Sequence, residues 1–182
     1  MLKRGFKTEA NRIVSEVRSE LNLSLFDALD PHKLAVHLDI PIVGLSEFLV
    51  EAPSIDHLLN IEPTAFSAIT VFSGSRRTIV HNDAHIPGRQ ASNLSHELAH
   101  GLLLHEPAPA LDNRGCRYWN QDIEDEATWL AGALLIPEPA TLEIIKRKLT
   151  IQSAALCFGV TSAMVRYRLN ATGAKIRISR AS

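Results

Sequence analysis

The segment His96-Glu97-Leu98-Ala99-His100 constrains this 182-residue chain more than any other. On an α-helix, positions 96 and 100 are one turn plus about 40° apart, so both imidazoles leave the same face. Leu94, Leu98, Leu102 and Leu103 form an apolar stripe beside them, the pattern of a helix with one side in a core. A fold that accepts this helix must bury the leucines and still let two imidazoles meet in one small space. Two hydrogen-bonded core histidines are the plain alternative, but that alternative does not account for a carboxylate at position 97.

Two imidazoles so placed can hold one divalent ion. Glu97, one position round, can reach water at that ion without being a ligand, which is the general-base arrangement of H-E-x-x-H zinc peptidases. Zinc lowers the pKa of such water toward about 7, and the carboxylate takes its proton as a peptide carbonyl is attacked. Zinc is thus the expected cofactor, His96 and His100 are two of its ligands, and Glu97 is the expected base. A third protein ligand must come from elsewhere, with the fourth position left to water. His105 lies about 140° round the helix from His100 and is not a ligand unless the helix breaks.

The remainder of the chain reads as helices around a short sheet, an α+β pattern. Apolar spacing predicts a helix over about 8–21, with an ordinary solvated charged face, and a second one after Asp30, where Pro31 opens the first turn. Residues 41–45 read as a strand. Residues 51–64 carry a weak pattern and are expected to be loop or irregular helix. Residues 66–72 and 78–81, on either side of Ser73-Gly74-Ser75, read as a β-hairpin. Residues 82–88 are expected to be a loop, with Ser92 or Asn93 capping the histidine helix. A further helix over about 122–136 ends at Pro137 and Pro139.

That last helix can supply the third ligand. At about 100° per residue its apolar centre falls near Ile123, Ala127 and Leu134, which puts Asp125 on the far side. Glu124 and Glu126 flank the centre about equally, so periodicity does not separate them. Small neighbours, Ala127 and Ala131, favour close approach on the Glu124 side, whereas Trp129 and Leu130 crowd Glu126. On that reading Glu126 is dispensable for metal binding.

The run from Asn93 to His105, with Ile123-Glu124-Asp125-Glu126-Ala127-Thr128-Trp129-Leu130-Ala131-Gly132-Ala133-Leu134-Leu135-Ile136-Pro137, resembles the ImmA/IrrE family of bacterial metallo-endopeptidases over about residues 66–137. The resemblance implies a minimal gluzincin-like (zincin-like) fold, with a short sheet packed on the metal helix and an edge strand beside it. It also places the third ligand on Glu124 and implies cleavage of a regulatory protein, such as a helix-turn-helix repressor. Thr128 stands where that family usually has Asn or Asp, and Leu130 where Phe is common.

Residues 151–158, the turn Gly159-Val160-Thr161 and residues 162–169 have the length and pattern of a helix-turn-helix. We therefore divide the chain into a metallopeptidase domain over 1–142 and a helical, helix-turn-helix-like segment over 143–182. Arg166 and Arg168 on the second helix offer DNA contact, although plain packing is the favoured reading. The tail from Glu143 carries eight Lys or Arg against one acid, read mainly as solvated surface. His81, His85, His105 and Tyr118 are candidate donors to the oxyanion of hydrolysis, and Cys116 is a candidate thiolate off-switch. Two cysteines are too few for a disulfide framework, no apolar run approaches the roughly 20 residues of a membrane span, and residues 1–7 lead into no signal-peptide core. The expected setting is the cytoplasm. The rival functional reading is a zinc-containing regulator that binds a partner or DNA without proteolysis.

Overall fold

The structure is a computed structural model that describes residues 2–106 and 120–181. Helix α1 (Phe6–Glu20) turns Ala10, Val14 and Val17 inward. Helix α2 (Pro31–His37) starts where Asp30 accepts a hydrogen bond from the His32 backbone N–H, a side-chain cap with proline at the first turn. Strand β1 (Ile42–Gly44) follows. Residues 57–65 form short irregular helical turns. They lead into the hairpin of β2 (Ala68–Ser73) and β3 (Arg76–His81). Gly74, at φ +61°, occupies the left-handed position that a two-residue hairpin turn requires.

The sheet order is β1-β3-β2, with β1 parallel and β2 antiparallel to the central β3. Thr70 pairs with Ile79, and Ala68 with His81. This register leaves β2 at an open edge among the described residues. Its side chains alternate, with Ala68, Thr70 and Phe72 half-buried and Ile69 and Val71 exposed. The expected α+β architecture with a short sheet against the histidine helix is therefore present.

Helix α3 (Pro87–Leu102) carries the histidines. It begins earlier than the capping pattern suggested. Neither Ser92 nor Asn93 is a cap: Ser92 Oγ donates to the Gly88 carbonyl inside the helix, and Asn93 Nδ2 reaches His85 Nδ1. The helix starts instead at Pro87 in the first turn, with no side-chain cap, where the Ile86 carbonyl accepts from the Arg89 and Gln90 N–H groups; buried Asn82, before it, donates to the carbonyls of Leu58, Pro63 and Phe66.

Helix α4 (Gln121–Leu135) is capped by Asn120 and packs along α3. Leu94, Leu98, Ala127, Leu130 and Leu134 join the α1 residues in one core. Arg18 corrects the view of α1 as having a purely solvated charged face. It is buried, and its guanidinium donates to the carbonyls of Ser24, Asp27 and Leu134, joining the end of α1 to the end of α4. Such satisfaction by carbonyls is what makes a buried charge tolerable.

Pro137 and Pro139 end α4 and also open α5 (Glu138–Lys146), a helix that spans the 142/143 division. Helices α6 (Ile151–Phe158), α7 (Ser162–Ala171) and α8 (Ala174–Ala181) complete a second core that begins at Leu135. The α6–α7 turn sits on the start of α3: a Cβ at Gly88 would lie 2.7 Å from the Val160 carbonyl carbon. Arg168 is wholly buried, donates to the Ile136 carbonyl and stacks over Trp129. It faces the core and not a ligand surface, so of the two arginines named for DNA contact only Arg166 is exposed.

Candidate metal centre

The α3–α4 contact brings three ligand-type side chains together. His96 Nε2 lies 3.1 Å from His100 Nε2 and 3.1 Å from Glu124 Oε2, and His100 Nε2 lies 3.8 Å from Glu124 Oε1. A tetrahedral ion with ligand bonds of about 2.0–2.1 Å separates its ligand atoms by roughly 3.3 Å, so these separations fit a zinc-sized ion. The side chains are 19–26% exposed, so the cluster is largely enclosed but not sealed from solvent. The imidazoles of His100 and His96 hold the Glu124 carboxyl well below its ordinary range against a smaller opposing effect of burial. The carboxylate is thus kept in the charged form that a metal needs.

Glu97 points from α3 toward the sheet edge, where Thr70 Oγ1 donates to its Oε2 at 2.6 Å. The second carboxylate oxygen is left for other partners. Each histidine of the cluster also has a contact on its rear nitrogen. Thr128, the residue that departs from the family's usual Asn or Asp, places Oγ1 3.5 Å from His96 Nδ1. His105 Nδ1 lies 2.9 Å from His100 Nδ1.

The helix does break before His105. Leu104 adopts φ +53°, the Leu104 N–H bonds the Gly101 carbonyl, and the His105 N–H bonds the His100 carbonyl. This left-handed helix end folds residue 105 back over residue 100. The break brings His105 behind His100, away from the ligand atoms, and both of its ring nitrogens are engaged, by His100 and by Glu126. Burial and the nearby His100 push the His105 pKa down, and Glu126 opposes the shift.

Glu126 stands outside the group of ligand atoms and is held in other contacts. Its side chain is 6% exposed, with Oε2 3.4 Å from His105 Nε2 and Oε1 3.5 Å from Lys3 Nζ. Asp125, on the far side as expected, accepts from Gln121.

His81 and His85 gather in a different place. His81 is buried against His32, with ring centroids 6.0 Å apart, and burial lowers its pKa. His85 Nε2 donates to the Pro63 carbonyl at 2.7 Å. Tyr118 and Cys116 lie outside the described residues.

Among the described residues, His96, His100 and Glu124 form the one group of three or more such side chains able to share an ion, with ligand atoms within 4.8 Å of one another. No described helix is long and apolar enough to cross a membrane. Comparison with known families matches residues 54–170 to a peptidase family whose description is IrrE N-terminal-like domain. The match covers α3, α4 and most of the C-terminal helices. No curated protein and no solved structure matches the chain.

Proposed function

Because the chain belongs to the IrrE N-terminal-like peptidase family, we propose that it is a zinc-dependent endopeptidase in which His96, His100 and Glu124 hold the metal and Glu97 is the general base. The observation that carries this reading is the meeting of three ligand atoms within 4.8 Å beside a carboxylate anchored to the sheet edge. Bound by those side chains, zinc supplies a Lewis acid that polarises a carbonyl and acidifies water.

The other duties fall to the chain. Thr70 fixes Oε2 of Glu97, leaving Oε1 to take the proton of the attacking water and return it to the leaving amine. The open edge of β2 offers backbone donors and acceptors to an extended peptide, which would join the sheet as an added strand. Ile69 and Val71 expose apolar side chains along that strand. The family resemblance favours a regulatory protein with a helix-turn-helix as substrate, and the sparse cysteines favour the cytoplasm as the setting. Burial of Arg168 and packing of the α6–α7 turn against Gly88 favour proteolysis over DNA reading as the role of this chain.

The test is to incubate the protein with helix-turn-helix regulators from its own genome, in zinc-loaded, chelated and zinc-restored forms. Loaded and restored protein should yield discrete fragments, and chelated protein none. Glu97→Gln should keep fold and zinc but cleave nothing, since an amide cannot accept the proton. Cleavage by Glu97→Gln at the wild-type rate would remove Glu97 from the mechanism.

A further inference from the structure

We propose that His105 and Glu126 form a positioning relay that locks His100 as a metal ligand. The inference rests on the assignment of His96, His100 and Glu124 as ligands, and not on the identity of any substrate.

Once Nε2 of His100 is committed to a metal, the contacts behind the ring take one consistent set of protons. A histidine that presents the lone pair of Nε2 to a metal carries its proton on Nδ1. His100 Nδ1–H then donates to His105 Nδ1 across 2.9 Å. His105, accepting at Nδ1, must carry its own proton on Nε2, which faces Glu126 Oε2 at 3.4 Å. The chain ends on a carboxylate, and Lys3 at the surface balances that charge across 3.5 Å. One short hydrogen bond and one longer ion-pair contact thus run from His100 through His105 to Glu126, and a negative group stands at the rear of the ligand. Such an arrangement fixes ring orientation and raises the basicity of the ligating nitrogen.

Two further observations favour a built device over chance packing. His105 and Glu126 have side chains only 11% and 6% exposed, and a buried carboxylate is retained at a cost unless it is partnered. The left-handed turn at Leu104 brings the residue after it back over the residue four before, a contact that in such helix ends is usually apolar. Here the contact is histidine on histidine. The equivalent partner of His96, Thr128, is exposed and at 3.5 Å, so the relay makes His100 the more firmly held of the two imidazoles.

The experiment measures zinc affinity by chelator competition in wild type, His105→Phe, Glu126→Gln and Thr128→Val, with ¹⁵N shifts of the histidine rings in the chelated proteins. His105→Phe keeps a ring of similar shape but no acceptor, and should weaken zinc binding about 10- to 100-fold. It should also release His100 from the Nδ1–H tautomer. Glu126→Gln keeps an acceptor without the charge and should give a smaller loss with the tautomer retained, and Thr128→Val should have the least effect. Unchanged zinc affinity in folded His105→Phe would overturn the relay. So would a loss matched by an equal drop in the thermal stability of the chelated protein with the His100 tautomer unmoved, because that pattern is core packing. A wild type that takes up no zinc would remove the ligand assignment and the relay together. Zinc binding that responds as described, without cleavage of any regulator, would leave the relay standing and overturn the peptidase reading alone.

Discussion

Thr70 on the edge strand donates a hydrogen bond to Oε2 of Glu97 on α3 at 2.6 Å, so the strand proposed to receive the substrate also orients the proposed base. Hydrogen bonds to charged groups contribute about 1.5–3 kcal/mol. Thr70→Val, which keeps the shape and removes the hydroxyl, should lower kcat about 10-fold or more while KM and zinc content change little. Steady-state kinetics on a cleaved peptide checks this. An unchanged kcat would show that Glu97 is oriented by other contacts.

Gly88 joins the first turn of the metal helix to the α6–α7 turn. A Cβ there would stand 2.7 Å from the Val160 carbonyl carbon and 2.9 Å from the Thr161 nitrogen, both backbone atoms. Gly88→Ala gains about 1 kcal/mol of helix propensity, but overpacking against backbone costs about 1–3 kcal/mol. The net expectation is a lower midpoint in denaturant or thermal unfolding. A raised midpoint would mean that the two turns separate without cost, and that the C-terminal helices are not held to α3 in this way.

His81 should make stability depend on pH. Burial holds its pKa below the ordinary 6.5, with Asp83 opposing. In the interval between the lowered value and about 6.5, the unfolded chain binds more protons than the folded one, so stability rises with pH there. The contribution is complete above about 6.5 and is lost as pH falls through the folded value. Chelated wild type should therefore lose thermal stability as the pH falls below about 6.5, and His81→Phe should lose less. Equal slopes in the two proteins would place the titration elsewhere.

The H-E-x-x-H spacing, the leucine stripe and the alternation of the hairpin made α3, its two imidazoles and the sheet legible from local pattern alone. The same was true of Asp125, whose place on the far side of α4 follows from helical angle. What was not legible depends on contacts between distant segments. Asn82 reads as a loop residue, yet its amide binds three carbonyls from residues 58–66 and ties that segment to the end of the sheet. The full burial of Arg18 and Arg168 was not legible because each is held in part by a carbonyl far along the chain, Leu134 for the one and Ile136 for the other. The contact of Glu126 with His105 was hidden because His105 arrives through a helix break at Leu104, a non-glycine residue that gives no signal for a left-handed conformation. The bond between Thr70 and Glu97 likewise depends on how β2 is set against α3.

Zinc content per chain decides whether His96, His100 and Glu124 together hold a single ion. Protein purified without chelators should carry about one zinc per chain. Glu124→Ala, which removes a carboxylate held 3.1 Å from His96 Nε2, should purify with far less while its far-UV circular dichroism is unchanged. Metal-free wild type would rule out a zinc site at these residues, and full zinc occupancy in Glu124→Ala would rule out Glu124 as a ligand.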